Sequence, residues 1–488
     1  MRTMVRKIIF LFALALSALP GASFAATDEL FEISGWIPYW RGTAGVESIL
    51  PHVDTFTEVN PFVYTVKLNG ELNEASLLTD AQWVNLAGQT KAKGIRFIPT
   101  VMWANPDAID EVLRDPLKRQ EHVRAIVREV YARKFDGIDI DYEGKYARTK
   151  PYFSLFLQEL YVAMEFDKWI MCTIEARTPL DSRYSSPESI PKDIEYANDF
   201  VEINKYCDRV RIMAYDQGRI DLKLNKSNAD PYVPVADKAW VEKVILLAAK
   251  DIDKSKIVIG VPTYGYEYDM FNALDGSGEI EYSNLWSFNP GYATDTALKL
   301  QIAPMRNSAG ELFLTYPASR SLDPSIPLPF ATRVMSWSDA EAIRQKAELA
   351  EKLGVRGIAL FKIDGGQDAG LWNVLAQYKN KSMAFVPATI SVNTTDTSVI
   401  NVSGKPGVVA PSRNLYFGII GEDVRTLQKF LNERGFSVST TGGGSPGNET
   451  KYFGPATVRA LTLFQKAHNI TPAVGYFGPK TRAAIQLL

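Results

Sequence analysis

The sequence predicts an α/β chain: a (β/α)8 TIM barrel with a small insertion between its seventh and eighth strands, followed by a small all-α domain. Three observations carry this. Short apolar runs rich in Val, Ile, Phe and Tyr recur eight times over the first 380 residues, with helix-like stretches between most of them. The composition then shifts to Thr, Ser, Val, Asn, Pro and Gly, with few charges. Beyond that, Tyr452-Phe453-Gly454-Pro455-Ala456-Thr457 returns as Tyr476-Phe477-Gly478-Pro479-Lys480-Thr481. Buried strands alternating with amphipathic helices argue for a parallel sheet covered by helices. Eight such units fit a closed barrel.

The chain opens with Arg2, Arg6 and Lys7, an apolar run from Ile8 to Leu19, and small residues at Ser23 and Ala25. That is the pattern of a secretory signal. The run is shorter than the roughly 20 residues that span a bilayer. Residues 1–25 are therefore expected to be a cleaved signal peptide rather than a membrane anchor. The mature protein is expected to be secreted, periplasmic or attached to the cell wall.

The barrel is expected over 29–380, with strands near 32–39, 56–65, 95–102, 135–140, 169–175, 208–215, 256–263 and 355–361. Asp110 to Arg133 reads as one helix, with Val112, Leu113, Val123, Ile126, Val127 and Val130 on its apolar face. Trp240 to Ala249 and Asp339 to Leu353 read as others. The gap between the last two strands is too long for one helix, so an inserted subdomain is expected at about 266–335. Cys172 and Cys207 fall in predicted strands. After export they could pair, or remain as two inert buried thiols.

Residues 381–414 read as an extended linker, with a small β-domain as the other reading. Residues 415–488 form the second domain. A helix from Glu422 to Arg434 buries Val424, Leu427, Phe430 and Leu431, with Gly435 as its C-cap. Two more helices follow the repeated hexapeptides. Ser437 to Glu449, with three consecutive glycines at 442–444, reads as a mobile loop.

Composition excludes several functions. The chain is 46% hydrophobic and 23% charged, and its net charge of −2 gives nucleic acid or an anionic membrane nothing to hold. His52, His122 and His468 are scattered without ligand spacing. Two cysteines offer no thiolate zinc site, and neither has a histidine nearby in sequence for a cysteine transpeptidase. No metal or cofactor is expected, and a monomer is.

The chemistry concentrates in Phe135-Asp136-Gly137-Ile138-Asp139-Ile140-Asp141-Tyr142-Glu143. On a strand, alternate residues share a face, so Asp139, Asp141 and Glu143 project together about 7 Å apart. Such a row repels itself and resists burial. It makes sense at the C-terminal mouth of a barrel, where catalysis is held. A solvated edge or a hard-cation site would be the bland alternatives. Asp136 is out of phase and reads as structural.

This stretch resembles the signature of glycoside hydrolase family 18, the chitinase-like barrels. Gly35-Trp36-Ile37-Pro38-Tyr39 resembles the family's first strand, Met213-Ala214-Tyr215-Asp216 its sixth, Gly260-Val261-Pro262-Thr263-Tyr264-Gly265 its seventh and Gly357-Ile358-Ala359-Leu360-Phe361 its eighth. Two segments depart from the pattern. Ile98-Pro99-Thr100-Val101-Met102-Trp103 stands where the family often has Ser-x-Gly-Gly, and Phe361 where it usually has Trp. The resemblance implies Glu143 as catalytic acid, Asp141 as orienter of the substrate acetamide, Asp139 as its proton-sharing neighbour and Tyr215 as a donor to the acetamido oxygen. It implies sugar contacts at Asp216 and Met213. Aromatics at or near strand ends, Trp36, Tyr39, Trp103, Tyr264, Trp337 and Phe361, are candidate sugar platforms.

Residues 415–488 resemble the three-helix peptidoglycan-binding domain of bacterial cell-wall hydrolases. The matching residues are Asp423-Val424, Leu427-Gln428, Leu431, Gly435, Phe453-Gly454, Thr457, Phe464-Gln465, Gly475, Phe477-Gly478 and Thr481. The expected partner is a glycan polymer. The leading expectation is an enzyme cutting β-1,4 bonds beside N-acetylglucosamine in peptidoglycan. A chitinase is the next, and a non-catalytic glycan-binding barrel the third, disfavoured because the acids are all present.

Overall fold

The computed structural model describes residues 28–384 and 411–486, apart from 165–167, 230, 274–278, 319–331, 412, 417–418, 471–472 and 474. The signal expected at 1–25 and most of the expected linker lie outside the described residues.

Eight parallel strands close into a barrel: β1 (Glu32–Pro38), β2 (Glu58–Val66), β3 (Thr100–Trp103), β4 (Gly137–Tyr142), β5 (Trp169–Glu175), β6 (Arg209–Met213), β7 (Ile257–Pro262) and β8 (Gly357–Phe361). Each pairs with its sequence neighbours, and β8 and β2 both pair with β1 to complete the circle. All eight predicted runs are strands. Their apolar residues, such as Ile138 and Ile140 at 1% and 0% exposure, pack against the helical layer. This is why the runs alternate: one face meets helices and the other fills the barrel.

Three details differ from the expectations. The stretch 110–133 is two helices, Pro106–Arg114 and Pro116–Arg133, rather than one. Pro116 cannot continue the first helix and restricts Asp115 to an extended conformation. Asp115 then caps the second helix by accepting from the Leu117 and Lys118 N–H groups. Residues 382–384, expected in the linker, form a strand antiparallel to Asp28–Leu30. The loop 437–449 is tied down: the Asn432 amide donates to the Gly444 carbonyl at 3.0 Å and accepts from the Val438 N–H at 2.8 Å.

Between β7 and β8 lies a five-stranded antiparallel sheet, with outer bounds Gly265 and Trp337, and a helix, Pro290–Leu300. Phe288, Leu314, Met335 and Trp337 make its own small core. The open question about the cysteines is answered by a bond: Cys172 on β5 is joined to Cys207, just past the helix Phe200–Tyr206.

In the C-terminal part, helices Glu422–Glu433, Pro455–Ala467 and Pro479–Gln486 surround Leu427, Leu431, Leu461, Phe464 and Ile485. Gly435, at φ +83°, ends the first helix in the left-handed region that glycine tolerates. The repeat has a structural reason. Gln428 donates to the Tyr452 carbonyl at 2.9 Å and the Thr457 hydroxyl at 2.8 Å. Gln465 does the same to Tyr476 at 2.7 Å and Thr481 at 2.9 Å.

Candidate active site

Strand β4 carries the acids into the barrel mouth. Its register sets Asp139 beside Thr100 of β3, and Asp141 beside Thr173 of β5. Asp139 is fully buried. It accepts from Thr100 at 2.7 Å, Thr173 at 2.8 Å and the Trp36 indole at 2.9 Å. The Arg211 guanidinium of β6 lies 3.1 Å away and also pairs with Glu58 of β2. Burial pushes the Asp139 carboxyl up, against the pull of its donors. Asp136, by contrast, accepts from the Phe97 N–H at 2.7 Å and ties β4 to the chain before β3.

Asp141 is 3% exposed, and its Oδ1 has no hydrogen-bond partner among the described residues. Burial, then the charges of Glu143 and Asp139, push its carboxyl well above the ordinary range. Glu143 follows at the strand end, partly exposed. Burial and the neighbouring Glu175 push it up, Lys145 opposes this, and Asp216 adds to it.

These acids line a cavity of about 220 Å³ with Trp36, Phe62, Thr173, Met213, Tyr215, Asp216 and Phe361. Phe361 is stacked on Tyr215, with ring centroids 5.6 Å apart, and stands edge-on to Trp36 at 5.9 Å. Asp216 has φ +57° and accepts from two tyrosines that follow β7, Tyr264 at 2.5 Å and Tyr266 at 2.9 Å. Burial raises its carboxyl against those two donors. An adjoining pocket of about 360 Å³ shares Asp216 and Phe361 and adds Trp40, Tyr264, Tyr266, Phe288, Asn289 and Lys362 among others.

The structure therefore brings together Glu143, Asp141, Tyr215, Asp216, Met213, Trp36, Tyr264 and Phe361, with Asp139 beneath them. Trp103 is not brought to the cavity. It is 2% exposed and packs in the core against Tyr142 and His122, because it points to the helical side of β3. Trp337 lies in the core of the inserted sheet. Tyr39 is 37% exposed and packs on Trp40 without lining either pocket. Sequence reasoning missed Thr100, Thr173, Arg211, Lys145, Glu175 and Trp40. Glu175 was findable, since it ends a barrel strand just as the acids of β4 do. Among the described residues, no group of three His, Cys, Asp or Glu could hold a metal ion, and no helix is long and apolar enough to cross a membrane.

A row of acids on one face of β4, buried at Asp139 and Asp141 and ending in the partly exposed Glu143 at the mouth of a (β/α)8 barrel, is an arrangement that can carry acid–base chemistry. The chain belongs to the glycosyl hydrolases family 18, whose model matches residues 56–366, and is a glycoside hydrolase. A second model, for a peptidoglycan binding domain, matches residues 420–485. Among curated proteins the chain is similar to "Uncharacterized glycosylase YvbX" of Bacillus subtilis, 21% identical over 272 residues, 55% of this chain and 69% of that protein. Among solved structures it resembles the spore cortex-lytic enzyme SleL of Bacillus megaterium, with a TM-score of 0.56 and 20% identity over 74% of this chain and 76% of that one. It also resembles a chitinase from Chromobacterium violaceum, with a TM-score of 0.54 and 18% identity over 71% and 98%. At these identities the structural likeness establishes the shared fold.

Proposed function

We propose that this protein is an exported glycosidase that hydrolyses β-1,4 bonds beside N-acetylglucosamine in peptidoglycan, by substrate-assisted retaining catalysis. The observation that carries the chemistry is the buried, unpartnered Oδ1 of Asp141 beside Glu143 in the 220 Å³ cavity. An acceptor in that state is costly unless a ligand donor meets it. The acetamide N–H of a sugar seated on Phe361 is a donor of the right kind.

In the first step, Glu143 gives its proton to the glycosidic oxygen. The substrate's own acetamido oxygen attacks the anomeric carbon, and the leaving sugar departs. Asp141 accepts from the acetamide N–H and stabilises the oxazolinium-type cation. Asp139 lies behind Asp141 and shares in its protonation. The Tyr215 hydroxyl bonds the acetamido oxygen and aligns it for attack. In the second step, the Glu143 carboxylate takes a proton from water. That water attacks the same carbon from the side the leaving group left, so configuration is retained and the acetamide is restored. No enzyme nucleophile is needed, an accepted exception to the two-carboxylate scheme. A raised Glu143 pKa suits an acid that must hold its proton near neutrality.

Peptidoglycan is favoured over chitin by the C-terminal domain. A wall-binding module tethered to the barrel raises local substrate concentration without any new contact in the cleft. Phe361 in place of Trp and the missing Ser-x-Gly-Gly segment favour the same choice, since a substrate with lactyl-peptide branches needs a more open cleft. The relative named as spore cortex-lytic is in keeping with it. The test is digestion of purified sacculi and of chitin side by side, with mass analysis, using the full chain and a variant ending at residue 384. We expect muropeptides with reducing N-acetylglucosamine ends, and slower digestion of sacculi by the shortened chain. Chitobiose release with sacculi left intact would overturn the substrate assignment. Equal cleavage of fully deacetylated glycan would overturn the mechanism.

A further inference from the structure

Behind Glu143 the chain makes a tight turn, with Gly144 at φ +65°. The Gly144 N–H donates at 2.9 Å to Oε1 of Glu175, the last residue of β5. The other Glu175 oxygen accepts from the Asn198 amide at 2.7 Å and lies 3.7 Å from the Lys145 ammonium. Lys145 has a side chain 0% exposed. Its ammonium donates to the Tyr142 carbonyl and stands 4.7 Å over the Phe153 ring. A buried lysine is expensive and is kept only when paired and bonded. This one sits two residues from the acid, and no step of the mechanism above uses it.

We propose that Glu175 and Lys145 are positioning residues for Glu143: they pin the turn that carries it and balance the charge around its carboxyl. The proposal rests on Glu143 being the acid. Two links fix the turn on either side of one residue, the Gly144 N–H to Glu175 and the Lys145 ammonium to the Tyr142 carbonyl. Together they limit where the Glu143 side chain can point. The charged and titratable groups that act on Glu143 are Asp141 and Lys145 from its own segment, Glu175 from β5, and Asp216 and Tyr215 from beyond β6. Asp141, Asp216 and Tyr215 are turned to the substrate side of the cavity. Glu175 and Lys145 are left as an opposed pair on the far side. The anion favours the protonated acid needed for the first step. The cation favours the carboxylate needed for the second.

The experiment measures kcat/KM and kcat against pH for Glu143→Gln, Glu175→Gln, Lys145→Met and the double Glu175→Gln/Lys145→Met variant. The substrate is a soluble N-acetylated oligosaccharide that the wild type cleaves. Thermal melting of each variant is recorded in parallel. We expect Glu175→Gln to move the alkaline limb to lower pH by about one unit, since a neighbouring negative charge is gone. Lys145→Met should move it to higher pH by a similar amount, and the double variant should return it near the wild-type position. Glu175→Gln and Lys145→Met should each lose about tenfold in kcat with a smaller change in KM, as expected for a group that acts on the transition state through another. A purely structural role would lower the melting temperature and the amplitude but leave the limb in place. Because Glu175 is half-exposed, its Gln variant keeps the test alive if Lys145→Met melts early. If Glu143→Gln is inactive yet the other limbs do not move, or both singles move the same way, the positioning proposal fails. If Glu143→Gln stays active, it is the acid assignment that fails.

Discussion

In the C-terminal domain, Gln428 and Gln465 are each 1% exposed, and both ends of both amides are bonded: Gln428 Oε1 accepts from the Thr450 N–H at 2.7 Å and Gln465 Oε1 from the Gly475 N–H at 2.8 Å. In the barrel mouth, Asp141 is 3% exposed and has one oxygen with no protein partner among the described residues. The two regions bury polar groups to comparable depth and for opposite ends. Satisfied amides hold each repeated Phe-Gly-Pro turn onto a helix, so they contribute to folding. A carboxyl with one orphaned oxygen in a row of like charges costs stability, and the fold tolerates it where a ligand can complete it.

The largest effect expected from breaking this contrast is catalytic. Glu143→Gln should lower kcat by about 10²–10⁴-fold with the fold and glycan binding intact, as measured by turnover and by binding of an uncleaved oligosaccharide. Asp141→Asn should slow the chemical step roughly 10²-fold and also raise the melting temperature at pH 7. The sign follows from its raised folded-state pKa. Ionising Asp141 is disfavoured in the folded chain, so the destabilisation is present at neutral pH and absent once the carboxyl is protonated in both states. The gain from Asn should therefore shrink as pH falls through the raised folded-state value toward about 4, and be gone below that. Loss of thermal stability in Asp141→Asn at pH 7 would contradict the reading of Asp141 as an uncompensated acid.

The amides should behave in the reverse sense. Gln428→Ala and Gln465→Ala should each destabilise the C-terminal domain by about 1–3 kcal/mol, since each removes a buried amide whose bonds tie a turn to a helix, the part-buried Thr450 N–H and the buried Gly475 N–H among them. Neither should change kcat on a soluble substrate. Denaturant melts of the two variants should give similar losses, because the two sites share one pattern of bonds. A loss at only one would mean that the repeat is not symmetric in energy.

The smallest effect concerns pH and the barrel alone. His122 is buried, donates from Nδ1 to the Gly70 carbonyl at 2.6 Å and is hydrogen-bonded through Nε2 to the Tyr142 hydroxyl behind β4, and burial pushes its pKa down to about 4. Its unfolded value is near 6.5. The unfolded chain thus binds the extra proton first, and stability falls as pH drops from about 6.5 through about 4. His122→Asn should flatten that part of the stability curve, whatever it does to the absolute value, and melts at several pH values would read it out.

Much of the site was legible because β4 is a strand with alternating faces. Once Ile138 and Ile140 point outward to the helices, Asp139, Asp141 and Glu143 must point inward. The strands were legible for the same reason, as runs of apolar residues that helices cover. Pro116 was equally visible, and it divides the helix whose apolar face alone suggested continuity. Trp103 shows where strand-end reasoning stops. An aromatic at the end of β3 can face the cavity or the helices, and the phase of a four-residue strand does not say which.

By itself, the sequence determined the eight strands, the acidic row, the inserted segment and the repeat, because all four are local patterns set by periodicity and neighbouring residues. The tertiary structure alone decided which distant groups meet them. Thr100, Thr173, Trp36 and Arg211 converge on Asp139 from four other strands, Glu175 and Lys145 close behind Glu143, and Cys207 reaches Cys172. The physical reason is closure. Strand register around a circle fixes which side chains share a layer, and no single segment carries that information.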